Sequence, residues 1–224
     1  AGNGSWLRPE DACGMVPRQP RGAAMYRLYD SLSSGNAYKV RLLLHQLGLP
    51  FERIEHDIDR GATRTAEFLA RNPNGRVPVL ELDSGVYLAE SNAIIFYLAE
   101  GTLFLPADRL ARAQVLQWLF FEQYSHEPNV ATPRYWITHK VLTEERSRQL
   151  EPKRELGYAA LRVMEQHLSD RQYMVGKRYS IADIALYAYT HVAEEGGFNL
   201  ADFPALRGWL DRVAGQPGHV PITW

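Results

Sequence analysis

The sequence predicts an α/β unit followed by an all-α unit, and three observations predict it. Between Met25 and Gly101, short apolar strands alternate with amphipathic helices in the order β-α-β-α-β-β-α, the pattern of a mixed sheet covered by helices. From 108 to 224 the apolar spacing is almost wholly helical. Residues 1–24, rich in Gly, Pro and Arg, carry neither period and read as an N-terminal extension. The expected divisions are therefore 1–24, 25–101, a linker at 102–107, and 108–224.

Tyr26-Arg27-Leu28-Tyr29 reads as the first strand, and Asp30 to Gly35 as the loop after it. Asn36 to Leu47 places apolar residues at 40, 43, 44 and 47 and is closed by Gly48, so it reads as a helix. Phe51 to Ile58 reads as a second strand, and Thr65 to Arg71 as a short helix with Thr65 as its N-cap. Two short strands separated by a Gly-bearing turn follow Val77-Pro78, and a third helix runs from Asn92 to Glu100, stopped by Gly101. The helical unit is expected to hold Asp108 to Tyr124, ended by Pro128, then Thr143 to Leu168 kinked at Pro152, Ser180 to Glu195, and Pro204 to Ala214. Ser180-Ile181-Ala182-Asp183 has the form of a capping box with Asp in the acidic position.

The 224 residues carry 25 basic and 26 acidic side chains, so no basic field is available to hold nucleic acid, and a small partner is expected. No apolar run approaches the roughly 20 residues of a spanning helix, and no secretory pattern opens the chain; a cytoplasmic protein without a membrane role is expected. One cysteine, Cys13, excludes a disulfide framework, a multi-thiolate zinc site and a two-cysteine redox motif, so sulfur chemistry would need an outside thiol. The seven histidines make no metal-ligand pattern, and no metal is expected.

Residues 74–92 suit the holding of a small charged peptide. Pro78 fits only the start of a strand, where Val77 can present its amide and carbonyl as backbone pairing groups, and Glu90-Ser91 follows at a helix start. The sequence leaves the isomer of Val77-Pro78 open.

This order of elements, with Asn72-Pro73-Asn74-Gly75-Arg76-Val77-Pro78-Val79-Leu80, Glu90-Ser91-Asn92-Ala93-Ile94 and Tyr179-Ser180-Ile181-Ala182-Asp183-Ile184, resembles the cytosolic glutathione transferases. The resemblance spans residues 25 to about 220. It implies a thioredoxin-like first domain that binds glutathione, a C-terminal helical bundle that forms most of an apolar co-substrate pocket, a cis Val77-Pro78 bond and a homodimer. Several related families activate the thiol with a tyrosine, but alignment of Val40-Arg41-Leu42-Leu43 puts Asp30 there, and Tyr29 falls on the opposite face of its strand. The loop instead resembles members with Ser or Thr followed two residues later by Asn or Cys, which carries the thiolate-donor role to Ser34 and Asn36, with Ser33 as an alternative.

A cysteine-like thiol ionises near a pKa of about 8.5 and attacks as the thiolate. Each unit of lowering needs about 1.4 kcal/mol of preference for the anion, within reach of one or two donors at a helix start. The plainer reading of Ser33, Ser34 and Asn36 is helix capping, and one residue can do both. The resemblance further assigns Val77, beside Pro78, to the cysteinyl unit of glutathione, Glu90 to the γ-glutamyl ammonium and Ser91 to its carboxylate; Arg76 is either a carboxylate partner or a solvated turn residue. Tyr124 and Tyr135 are candidates for the second-substrate pocket, against the plainer reading of aromatic core, and His126 reads as structural or exposed. The expected activity is conjugation of the glutathione thiolate to small, largely apolar electrophiles. Reduction of disulfides or peroxides is the alternative within the enzyme class, and non-catalytic glutathione binding or an interaction role lies outside it.

Overall fold

A computed structural model describes residues 25–83 and 85–224; the expectations for residues 1–24, including Cys13, lie outside the described residues. Four strands form one mixed sheet in the order β2-β1-β3-β4: β1 (Tyr26–Asp30), β2 (Phe51–Glu55), β3 (Val79–Asp83) and β4 (Val86–Ala89). β1 runs parallel to β2 and antiparallel to β3, which pairs antiparallel with β4, so Leu28 stands opposite Arg53 on one side and Leu80 on the other. Alternation along β1 then separates two faces. Leu28 and Leu80 pack against α1 (Gly35–Gln46) and α3 (Ser91–Ala99), while Tyr29 and Val79 pack against Phe68 of α2 (Ala66–Arg71) on the other face.

Local chemistry explains the helix ends. The Thr65 side chain caps α2 by accepting from the Phe68 N–H, and Ser180 and Asp183 form both halves of the capping box at α7 (Ile181–Thr190). Gly48, at φ 65°, ends α1 in the left-handed conformation that glycine adopts without penalty. The second strand is shorter than its apolar pattern suggests: it ends at Glu55, and Ile58 belongs to the following loop.

The helical part comprises α4 (Arg109–Phe121), α5 (Glu127–Thr138), α6 (Glu144–Leu168), α7 and α8 (Pro204–Ala214). Helix α5 corrects the expectation that Pro128 ends the preceding helix. A single π-turn, Glu122–His126, joins α4 to α5, with the Glu127 N–H bonded to the Glu122 carbonyl. Pro128 therefore falls in the first turn of a new helical register, where a missing N–H is tolerated. α6 continues through Pro152 as one helix, and the expected helix 180–195 divides into α7 and a 3₁₀ turn, Ala193–Gly196. One hydrophobic core runs from the sheet through α1 and α3 into α4, α6, α7 and α8, with Trp209 and Leu186 wholly buried. No helix among the described residues is long and apolar enough to cross a membrane.

Candidate functional site

The loop between β1 and α1 meets the helical part at the front of the molecule. Ser34 caps α1: its Oγ accepts from the Ala37 N–H at 3.2 Å. A hydroxyl that accepts there still has its own proton to donate, and the cap bond polarises it toward an anion. The loop is braced from a distance. The Asn36 N–H donates to Tyr189 Oη at 3.2 Å, and Arg134 Nη1 donates to the Ser33 carbonyl at 2.8 Å while Arg134 Nε pairs with Glu195 at 2.7 Å. Gly35 is required by the same contact, because a Cβ there would lie 2.6 Å from the Tyr189 ring.

Asn36 faces two partners. Its amide Nδ2 donates to Glu127 Oε1 at 3.4 Å, and its Oδ1 accepts from Ser91 Oγ at 3.3 Å. One amide hydrogen is thus engaged inside the protein, which makes Asn36 a link between the loop, α3 and α5 as well as a candidate sulfur donor. Beneath it Lys39 and Glu122, both wholly buried, form an ion pair at 2.9 Å. Lys39 also donates to Ser91 Oγ and Asn92 Oδ1, each at 3.3 Å, and Asn92 and Gln123 donate to Glu122 Oε2 at 2.9 and 2.8 Å. A buried pair needs compensating hydrogen bonds, and these neighbours supply them to the Lys39 ammonium and to Glu122 Oε2. Burial, reinforced by the charge of Glu122, raises the Glu127 carboxyl above the usual range, against the opposing pull of Lys39.

The residues assigned to a peptide ligand converge. Asn36, Arg76, Val77, Pro78, Glu90 and Ser91 line a small cavity of about 60 Å³, with Gln123 and Glu127 on its helical side. Val77-Pro78 is cis. Glu90 has φ 67°, a left-handed conformation that costs a non-glycine residue on the order of 1–3 kcal/mol and clusters at ligand sites. The Ser91 hydroxyl is already held by Lys39 and Asn36, so its backbone N–H, at the first position of α3, is the better placed of its two groups for an anion.

A larger cavity of about 390 Å³ shares Arg76, Val77 and Glu127 with the small one and extends past Ser33 and Ser34. Its wall differs from the largely apolar pocket expected. Arg64, Arg134, Tyr135, His139 and Thr132 line it, beside Ile58, Ala131 and Tyr189. At its rim the Asp59 carboxylate, from the loop after β2, holds His139 Nδ1 at 2.7 and 2.9 Å, and Tyr135 Oη donates to Asp59 at 3.4 Å.

Of the sequence-assigned residues, Ser34, Asn36, Arg76, Val77, Pro78, Glu90, Ser91 and Tyr135 line this paired cleft. Tyr124 lines neither cavity; it is 87% exposed on the π-turn. Asp30, at the position where related families carry tyrosine, is buried in an ion pair with Arg41, whose Nη2 also donates to the carbonyls of Leu32 and Ile222. His126 is structural: its Nε2 donates to Thr190 Oγ1 at 2.9 Å, and burial lowers its pKa to about 4. Lys39, Glu122, Glu127, Arg134, His139 and Tyr189 were missed. A signal existed for Lys39, which with Arg41 is one of two cations in the otherwise apolar stretch Ala37 to Leu44; for Arg134 and Tyr189, far away in sequence, none did. Among the described residues no group of three or more His, Cys, Asp or Glu side chains is placed to hold a metal.

Comparison with known proteins gives matches along both parts of the chain. A model described as the glutathione S-transferase N-terminal domain matches residues 24–100, and one for the C-terminal domain of that family matches 116–217. Among curated relatives, the disulfide-bond oxidoreductase YfcG of Escherichia coli is 32% identical over 81% of this chain and 87% of its own. Among solved structures, a glutathione S-transferase from Pseudomonas fluorescens is 53% identical with a TM-score of 0.87, covering 89% of this chain and 99% of that one. A glutathione transferase family member from the same organism, solved with two glutathione molecules bound, is 28% identical with a TM-score of 0.76 over 87% of this chain and 90% of that one.

Proposed function

The chain belongs to the glutathione S-transferase family, and on that premise we propose that it binds glutathione in the paired cleft, holds its sulfur as a thiolate at Ser34, and uses it to reduce disulfides. In this reading Val77 pairs with the cysteinyl unit, and the γ-glutamyl end enters the small cavity with its ammonium toward Glu90 and its carboxylate toward the Ser91 amide. The Ser34 hydroxyl and the positive end of the α1 dipole favour the anion.

The observation that carries the choice of disulfides is the wall beside Ser34. Arg64, Arg76, Arg134, His139 and Tyr135 suit a co-substrate that itself bears carboxylates and amides, such as a glutathionyl mixed disulfide, better than a purely apolar electrophile. The chain's one cysteine, Cys13, gives this sequence no dithiol, so all three sulfurs of the exchange, the attacking one and the two of the disulfide, come from outside. The bound thiolate forms a new S–S bond with one sulfur of the disulfide, and the electron pair of the broken bond leaves on the other. The second reading, conjugation of electrophiles, rests on the apolar part of the same wall, Ile58, Ala131 and Tyr189.

Glutathione titration near neutral pH, followed by thiolate absorbance, tests the premise, and a side-by-side rate comparison of a glutathionyl disulfide with an aryl halide tests the choice. Binding without thiolate absorbance would reassign the protein to a carrier or interaction role.

For assembly we propose a homodimer through α3 and α4. Leu88, Phe96, Tyr97, Leu116 and Phe120 line an apolar hollow of about 750 Å³ there, and Tyr97 and Phe120 are 49% and 70% exposed. Sedimentation equilibrium that returns a monomer at micromolar concentration would remove this part of the proposal.

A further inference from the structure

The Asp59, Tyr135 and His139 cluster has no part in holding glutathione at Ser34, yet it stands on the rim of the larger cavity that Ser34 also lines. Three features set it apart from an ordinary surface ion pair. His139 contacts both oxygens of Asp59 through one nitrogen, Nδ1, at 2.9 and 2.7 Å. Its ring packs against Tyr135 with centroids 4.4 Å apart, and only 11% of the His139 side chain is exposed. The two sides of the contact come from different parts of the fold: Asp59 from the loop after β2, His139 from the end of α5.

An ionised carboxylate only accepts, so Asp59 holds a hydrogen on Nδ1 whether or not the ring is charged, and the proton the ring can exchange is the one on Nε2. The other nitrogen, Nε2, is on the opposite edge of the ring, away from the carboxylate and available to the cavity that His139 lines. A base oriented by an acid in this way, in a cavity beside a nucleophile, is the general arrangement for moving a proton during covalent exchange.

We propose that His139, oriented by Asp59, is the proton donor to the leaving sulfur of the second substrate. The inference rests on the disulfide reading above. The glutathione thiolate attacks the nearer sulfur, the old S–S bond breaks, and the departing thiolate takes the proton of His139 Nε2. A proton from solvent, matching the one glutathione released on ionising, then returns to Nε2. The products are one mixed disulfide and one thiol, and no other oxidant or reductant is needed. Asp59 is a positioning residue in this scheme, and Tyr135 fixes the ring plane.

The test compares two disulfides on the full chain: bis(2-hydroxyethyl) disulfide, whose leaving thiol is weakly acidic, and bis(3-carboxy-4-nitrophenyl) disulfide, whose leaving thiol is ionised at neutral pH and needs no proton. His139→Gln is expected to slow release of the aliphatic thiol by about 10²-fold. The ratio of the aromatic to the aliphatic rate should then widen by about tenfold or more relative to wild type. Asp59→Asn, which keeps His139 but loosens its orientation, should move the ratio the same way by a smaller factor. Glutathione-induced thiolate absorbance serves as the control for folding and first-substrate binding, and either variant that retains it decides the matter. Equal slowing of both disulfides, the result of a purely structural clamp, overturns the role of His139 and leaves the disulfide reading intact. A wild-type protein that releases neither thiol overturns both.

Discussion

The Tyr189 hydroxyl accepts a hydrogen bond from the Asn36 backbone N–H, and its ring occupies the space a side chain at position 35 would need. A helix at the far end of the chain thereby sets the shape of the loop on which Ser34 sits. Gly35→Ala should therefore force Tyr189 or the loop to move, with a loss of about 1–3 kcal/mol in stability. Denaturant unfolding measures the loss, and a parallel drop in glutathione affinity would locate the displacement at the loop. An unchanged midpoint would mean that the ring moves aside without cost.

Ser34 has two separable jobs, and two substitutions part them. Ser34→Ala removes cap and donor together, and is expected to cost about 1 kcal/mol of stability and about 10²-fold in thiolate-dependent rate at neutral pH. Ser34→Gly keeps most of the capping preference, so its stability loss should be only a few tenths of a kcal/mol while the rate loss persists. Equal retention of activity in both would move the donor role to Ser33 or Asn36.

Removing Lys39 leaves Glu122 buried without its counter-charge. Lys39→Met should destabilise the fold by about 3–5 kcal/mol, and pairing it with Glu122→Gln should restore much of that. Thermal or denaturant unfolding of the two variants reads the difference directly. A double variant no better than the single one would contradict the pairing.

Stability should rise with pH between about 4 and 6.5. Burial lowers His126 and His191 to about 4, from an ordinary value of 6.5. In that window the unfolded chain binds more protons at these two sites than the folded one, so raising pH favours folding. Asp183 works the other way: burial raises its carboxyl from 3.8 to about 6, so its contribution falls as pH rises through that range. Glu127 and Asp30, also raised by burial, oppose the rise, while His167 and His219, lowered by burial, add to it; with four histidines against three carboxylates the slope stays positive. His126→Gln should flatten it, as read by denaturant midpoints across the window.

What was legible in the sequence was local. Thr65, Gly48 and the Ser180 to Asp183 box act within a few residues of themselves, and each does in the structure what its type and place predict. The cluster from Arg76 to Ser91 was legible because its residues lie close in the chain and line one small cavity. Helix α5 was obscured by Pro128, whose breaking tendency is absorbed by the π-turn before it. The braces on the first loop were invisible for another reason: Arg134 reaches Ser33 across 101 positions and Tyr189 reaches Asn36 across 153, and nothing near any of these residues encodes its partner.

The π-turn has a consequence for how the chain tolerates change in length. In an unbroken α-helix, residues five apart point about 140° away from each other, so Glu122 and Glu127 could not both turn toward α1. The wider turn brings the two acids into phase, one for Lys39 and one for Asn36, which are themselves three apart on α1. Deleting a single residue between 122 and 126 would bring the two acids four apart in a regular α-helix, about 40° from each other, so the face they share would survive the loss.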